Sequence, residues 1–279
     1  GFRDILTVFV SYAFPNTKHI SMGYDLLLHN LVWRRYVEHP LEEIDAKKIS
    51  RNHGSNIIYS GYPGIDRFIK NEENYSDVWI LKNRNVKRII WAPHHTITDY
   101  AFVSYSTFLD YHDFMLEMAH KYDGQIQIAF KPHPLLKNRL DLIWGEDRTK
   151  EYYKEWNNLQ NGLLNDGAYE DLFMTSDAII HDSGSFIGEY LFTRKPAMYL
   201  SNGRPFNEQY NQLAQKCLDN YYIGRSKEDI EKFIIDVIEG KDPLKEKREI
   251  FDYKELLPPN GKLASENIMD DLIKELRSI

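Results

Sequence analysis

The chain has 279 residues, 42% hydrophobic and 28% charged, an ordinary globular composition with enough apolar material for one large domain or two small ones. Its formal charge of −7 argues against broad nucleic-acid binding, which needs a positive surface to displace counterions from phosphates. No apolar run approaches the roughly 18 residues of a membrane span, Gly1-Phe2-Arg3-Asp4 has no signal-peptide pattern, and the single cysteine, Cys217, excludes an internal disulfide and reads as core.

Leu6–Val10 and Asn56–Ser60 read as strands, but the stretch between them is aromatic, His-rich and only partly periodic. Residues 1–72 are therefore expected to be the end of a separate domain, in which His19, His29, His39 and His53 are structural. The polar Lys70–Tyr75 stretch is the expected linker to a second domain, 73–279. Lys82, Arg84, Lys87 and Arg88 form either a solvated strand entrance or a basic patch facing phosphate or an anionic membrane. From Val86 onward, β-rich runs alternate with helix-period stretches, the pattern of βαβ units and a parallel sheet. Arg88–Ala92 is a buried strand and Ser104–Tyr122 a helix. Gln125–Lys131 and Ala178–His181 are strands, the latter followed by a helix through Phe186–Phe192 and a strand at Ala197–Leu200. Glu208–Leu218 reads as a helix, Tyr221–Ile223 as a short strand, and Ser226–Glu239 as a helix opened by Ser226 and stopped by Gly240. Leu256–Lys262 is a loop before a last amphipathic helix, Ala264–Leu276.

In an open parallel sheet, ligands sit outside the carboxyl ends of the strands. Three segments occupy such positions: His94-His95-Thr96 after Pro93, Lys131-Pro132-His133-Pro134, and Asp182-Ser183-Gly184-Ser185. The last is a small turn leading into a helix, where backbone N–H groups and the two serine hydroxyls would cradle a phosphate. Gly184 would allow close approach, and Glu189, about a turn further on, would accept from ribose hydroxyls. An Asp/Ser helix cap without a ligand accounts for the same residues. His133, confined between two prolines, suits a rigid general acid or base, and Lys131 would neutralise phosphate charge. His94 and His95 are adjacent and lack the spacing of metal ligands, so no metal is expected; one of them, with Thr96, is expected to face the ligand. Walker, dinucleotide and nucleophile-elbow motifs are absent, which removes most support from kinase, dehydrogenase and hydrolase readings.

The order of these segments resembles the CDP-glycerol glycerophosphotransferase family of teichoic-acid and capsule polymer enzymes, from about Asn56 onward. The resemblance is carried by Gly61-Tyr62-Pro63 with Asp66, by Trp91-Ala92-Pro93, by Lys131-Pro132-His133-Pro134, and by Ser176-Asp177 through Asp182-Ser183-Gly184-Ser185 with Lys195-Pro196. It implies an α/β fold of GT-B type, a Rossmann-like parallel sheet flanked by helices with a partial first domain. It also implies a CDP-linked donor, a polymer or lipid-linked acceptor and no cofactor. An acceptor hydroxyl would attack the phosphorus next to glycerol as CMP leaves, with His133 at the reacting phosphate and Ser183, Gly184 and Ser185 on the pyrophosphate. A cytoplasmic place, peripheral at the inner face of the bacterial membrane, follows from the same resemblance. The chain departs from the family in two ways: His94-His95-Thr96 stands where many members carry Thr-Trp-Arg, and the first domain's His-Gly-Thr triplet is missing, His53-Gly54-Ser55 being a near-match in the wrong place. Two other readings stay open. One is a nucleotide-sugar enzyme of the same fold, since Asp182-Ser183-Gly184-Ser185 also resembles the turn of UDP-N-acetylglucosamine 2-epimerases. The other is a donor-binding module inactive alone.

Overall fold

Lys87–Ala92 (β4) is buried along almost its whole length, with Ile89 and Ile90 completely enclosed, as a strand covered on both faces must be. In the computed structural model, which describes residues 5–14, 16–18, 25–70, 75–83, 85–98, 104–251 and 253–277, β4 lies inside a six-stranded parallel sheet. Its other strands are Ile126–Phe130 (β5), Gly162–Leu164 (β6), Ala178–His181 (β7), Ala197–Leu200 (β8) and Tyr222–Gly224 (β9), in the order β6-β5-β4-β7-β8-β9. Counted within the sheet, that order is 3-2-1-4-5-6. The chain direction across the sheet therefore reverses between β4 and β7, which makes their ends a topological switch point.

The chain divides into two units. One is Glu73–Gln209 with Lys216–Phe251 and contains this sheet. Its helices cover the sheet with a largely aromatic layer in which Trp91 stacks on Phe108 (5.7 Å between centroids) and Phe130 (5.0 Å), and Phe130 stacks on Trp156 (5.3 Å). Most predicted elements appear with ends moved by a few residues; the helix expected over Ser104–Tyr122 runs Phe108–Lys121. Ser226 caps its helix as expected, in a reciprocal capping box with Asp229. The expected Glu208–Leu218 helix is broken into Phe206–Gln209 and Gln212–Leu218, because Tyr210 makes a bridge to Thr17. The region between β5 and β7, for which no elements were predicted, forms helices Leu136–Trp144, Glu146–Asn158 and Glu170–Thr175 with β6 among them.

The other unit is Gly1–Glu72, Tyr210–Gln215 and Asp252–Ile279. It holds a three-stranded parallel sheet, Val8–Val10 (β1), Arg34–Val37 (β2) and Ile57–Tyr59 (β3), in sequential order. The final helix, Ala264–Leu276, belongs here and not with the 73–279 domain in which it was expected. The physical reason is the Asp66 carboxylate, which accepts from Ala264 N and Ser265 N at 2.9 Å each and so caps that helix from a distant part of the chain. Arg34 adds ion pairs to Asp271 (3.3 Å) and Glu275 (2.6 Å), and the Tyr36 hydroxyl donates to Asp271. Gly61 has φ of +86°, and a side chain there would meet Pro258 at 2.6 Å. The Gly61-Tyr62-Pro63-x-x-Asp66 stretch thus has a structural task in fastening the C-terminal segment.

Of the basic residues before β4, Arg88 is buried and paired with Asp77 (2.9 Å), and Lys82 donates to the Asp77 and Trp79 carbonyls. Two of the four are therefore tied internally. Arg84, His19 and residues 71–74 of the expected linker lie outside the described residues. His29 and His39 are buried, and His39 Nδ1 accepts from Leu41 N, as structural histidines do. No helix among the described residues is long and apolar enough to cross a membrane.

Candidate functional site

Because β5 and β7 flank β4, the three strand-end segments are brought together at the switch point. Backbone hydrogen bonds continue the β4–β5 pairing past the sheet, Lys131 N to Trp91 O (2.8 Å) and His133 N to Pro93 O (3.0 Å). They set the imidazole of His133 against those of His94 and His95, with ring centroids 4.9 and 4.1 Å away; His94 and His95 are 4.2 Å apart. The three rings form the centre of the site.

Asp182 holds it together. Its carboxylate accepts from His94 N (2.5 Å), Thr107 N (2.6 Å) and the Thr107 hydroxyl (3.0 Å). Both oxygens are thereby committed to the protein, so Asp182 positions the β4 end instead of touching a donor, as had been expected. Burial raises its carboxyl to about 6, against the opposing pull of the hydrogen bonds from Thr107 and His94. Thr96 is likewise a positioning residue: it is buried, and its hydroxyl accepts from Tyr105 N (2.9 Å) and meets His94 Nδ1 at 2.9 Å. The Lys131 ammonium is engaged within the protein, donating to Gly167 O at 2.7 Å. Its charge still contributes to the lowering of His133.

The Ser183-Gly184-Ser185 turn leads, as expected, into a short helix, Phe186–Glu189. Ser183 and Ser185 hydroxyls are 3.0 Å apart; Ser183 is buried and Ser185 half-buried. Glu189, at the end of that helical turn, is also buried. The turn is held from beneath by His181, whose Nδ1 lies 3.1 Å from the Ser183 carbonyl, a contact that requires the Nδ1–H tautomer. Sequence reasoning missed His181, since a histidine inside a strand carries no sign that it will bond to a turn two residues on.

All three clustered imidazoles are neutral near pH 7. Burial, then the charges of His95 and His133, takes His94 down to about 2; burial, then His95 and Lys131, takes His133 down to about 4; burial and Arg139 lower His95. Leu135 N donates to His133 Nδ1 at 3.1 Å, so in the neutral ring Nε2 carries the proton and is a hydrogen-bond donor. An anion placed among the rings would raise all three and draw protons onto them.

Among the described residues, these histidines are the one group of three or more side chains whose ligand atoms, all within 4.8 Å of one another, are close enough for a metal ion. The wiring works against that use. A ligating histidine normally donates its second ring N–H to an acceptor, whereas His133 Nδ1 accepts from Leu135 N.

A cleft of about 450 Å³ with Pro132, His133 and Pro134 in its lining extends toward β6, where Lys137, Lys150, Tyr153, Lys154 and Asn157, none of which was singled out from the sequence, also line it. The signal was present as spacing: Lys150, Tyr153, Lys154 and Asn157 fall at i, i+3, i+4 and i+7 and share one face of their helix.

Comparison with known proteins adds the following. The family model described as CDP-glycerol:poly(glycerophosphate) glycerophosphotransferase matches residues 43–273. No curated protein matches in sequence. Among solved structures, the wall teichoic acid polymerase TagF is similar at 17% identity and a TM-score of 0.62, covering 96% of this chain and 68% of that one. A TagF variant soaked with CDPG gives 15% and 0.60, covering 99% and 70%. UDP-GlcNAc 2-epimerase from Neisseria meningitidis, bound to UDP-GlcNAc, gives 15% and 0.58, covering 98% and 71%. Across the similar structures the chain spans 59% to 71% of their own lengths. The parallel α/β architecture, of the GT-B kind these proteins share, is the content of those likenesses.

Proposed function

The chain belongs to the CDP-glycerol:poly(glycerophosphate) glycerophosphotransferase family, and from that premise we propose that it transfers glycerol phosphate, or a related phosphoalditol unit, from a CDP-activated donor to a wall or capsule polymer. The observation that carries this reading is the convergence of His94, His95 and His133 with the Ser183–Ser185 turn around one switch point. The acceptor hydroxyl oxygen forms a new bond to the phosphorus next to glycerol and gives up its proton to solvent, the bond from that phosphorus to the bridging oxygen breaks, and CMP leaves with the bridging oxygen. His133, through Nε2–H, donates to the reacting phosphate, and the serine hydroxyls with the backbone of their turn hold the pyrophosphate. Phosphoryl transfer needs positioning and charge stabilisation more than covalent help, so imidazoles and N–H donors suffice. Asp182, Thr96 and Thr107 keep the β4 end in place, and Lys131 adds positive charge from behind. We place the enzyme at the inner face of the bacterial membrane, where a lipid-linked or polymeric acceptor is presented.

The test is calorimetric binding of CMP, CDP-glycerol, UMP and UDP to this chain and to its His133→Ala and Ser183→Ala variants. Selective cytidine binding that weakens in both variants is expected. A preference for uridine would move the site to the nucleotide-sugar class, and absence of any nucleotide binding by folded protein would refute the donor site. Binding of CMP without turnover of CDP-glycerol would identify a donor module that is inactive alone.

A further inference from the structure

Three neutral imidazoles and two serine hydroxyls make a weakly charged site for a pyrophosphate. His94-His95-Thr96 brings no cation, and the Lys131 ammonium is engaged by Gly167 O. Phosphoryl transfer spreads charge over the equatorial oxygens of the reacting phosphate and relies on positive groups set there in advance. The helix that follows His133 supplies one.

That helix, Leu136–Trp144, is fastened to His133 at its start: Leu135 N donates to His133 Nδ1 at 3.1 Å, and Leu136 N to His133 O at 2.8 Å. Leu136 and Leu140 are fully buried and define the side of the helix that faces the core. Lys137 and Arg139 flank this stripe, leaving the helix roughly 200° apart at about 100° per residue. Lys137 lines the cleft toward β6 and lies 6.0 Å from the centroid of the Tyr153 ring, so Arg139 takes the opposite flank. Helical side chains lean toward the N-terminus and cover the preceding turn, which here is the one beside His133. The His133 ring is 4.1 Å from that of His95, and the charge of Arg139 is felt at His95, where it adds to burial in keeping the imidazole neutral. Arg139 is half-buried, and its guanidinium is permanently charged. His95 is also the one ring of the three whose Nδ1 has no hydrogen-bond partner among the described residues; His94 Nδ1 meets Thr96, and His133 Nδ1 is taken by Leu135 N. The protein thus leaves the tautomer of His95 to be set by what binds.

We infer that Arg139 grips the phosphate next to glycerol, its guanidinium sharing the non-bridging oxygens of that phosphate with His95 and His133. The inference rests on the proposed donor reaction and deepens it by naming a further residue that touches the reacting group. Strand order sets the division of labour: the serine turn follows β7 on one side of β4, and His133 with Arg139 follows β5 on the other. A planar guanidinium holds two oxygens at once, where a lysine ammonium acts as a point charge. CMP lacks this phosphate, so the contact favours the whole donor over the leaving nucleotide.

The experiment is calorimetric titration of CDP-glycerol and of CMP into the wild-type chain and its Arg139→Ala and Arg139→Lys variants, with the His95 ring followed by NMR through a pH series in the free proteins. CDP-glycerol affinity is expected to fall roughly tenfold or more in Arg139→Ala and by less in Arg139→Lys, while CMP affinity stays within about twofold in both. His95 should titrate at higher pH in Arg139→Ala than in wild type, because a repelling charge has gone, and return toward the wild-type value in Arg139→Lys. Equal losses for CMP and CDP-glycerol would overturn the inference, since Arg139 would then act on the fold or on the shared nucleotide. So would CDP-glycerol affinity indifferent to both substitutions, or a His95 titration identical in all three proteins. Should Arg139→Ala fail to fold, Arg139→Lys carries the comparison, with a selective loss of CDP-glycerol affinity still expected. A wild-type chain that binds neither nucleotide would strike the donor site and this inference with it; binding of both that ignores Arg139 would leave the donor site standing.

Discussion

Asp182 concentrates the site's stability problem in one side chain. Its buried carboxylate is the shared acceptor for groups on two neighbouring segments. Asp182→Ala strands the His94 and Thr107 N–H groups, and a loss of about 2–4 kcal/mol is expected in urea unfolding. Around the turn, Asp182 and His181 contribute opposed parts to the pH dependence, in addition to the stability that His94 and His133 lose on acidification. Asp182 is raised to about 6, so its contribution to stability is full below its unfolded value near 3.8 and is lost as pH rises through about 6. His181 is lowered to about 3, so its contribution is full above about 6.5 and is lost as pH falls towards 3. Between about pH 4 and 6 the two offset each other. In Asp182→Asn the compensating carboxyl is gone, and stability should fall on acidification more steeply than in wild type, by about 1.4 kcal/mol per pH unit. Parallel profiles for the two proteins would show that Asp182 is not protonated in this range.

At the scale of elements, the final helix is the informative case. Its amphipathic period is plain in the sequence, but its first N–H groups are satisfied by Asp66, roughly two hundred positions earlier. Asp66→Ala is expected to cost about 1 kcal/mol, the usual worth of a cap, and to speed hydrogen exchange selectively at the start of Ala264–Leu276. Unchanged exchange there would mean that the cap is dispensable. The paired helices between β5 and β6 teach the converse lesson. The second of them, Glu146–Asn158, is mostly polar, and it buries Thr149, Tyr152 and Trp156 as a narrow stripe. A pattern with so few apolar residues is weak evidence for a helix until the packing of Trp156 and Tyr152 on Phe130 is seen.

For the whole molecule, the question is what the site needs from outside. His133 is oriented by Leu135 N so that Nε2–H is a hydrogen-bond donor, a wiring that opposes metal ligation through that nitrogen. Exhaustive dialysis against EDTA is therefore expected to leave CMP affinity unchanged. A loss restored by added zinc would instead make His94, His95 and His133 a metal centre. Donor binding among three neutral imidazoles should also be accompanied by proton uptake, which calorimetry in buffers of different ionisation heat would register with the same samples.

Alternating β-rich and helix-period runs were enough, without coordinates, to read a parallel α/β fold and to mark the residues after three of its strands, because backbone periodicity and turn chemistry are local properties. The Trp91-Ala92-Pro93, Lys131–Pro134 and Asp182–Ser185 segments could be picked out on that ground alone. Their meeting was decided by strand order, which puts β4 between β5 and β7 and so joins positions about 40 and 90 residues apart. Tertiary structure also decided which polar groups remain available to a ligand. Asp182 and Lys131 face a potential ligand in the sequence reading, yet in the fold one is taken by Thr107 and His94 and the other by Gly167. Burial forces each polar group to find a partner, and the identity of that partner depends on chain segments that no local pattern specifies.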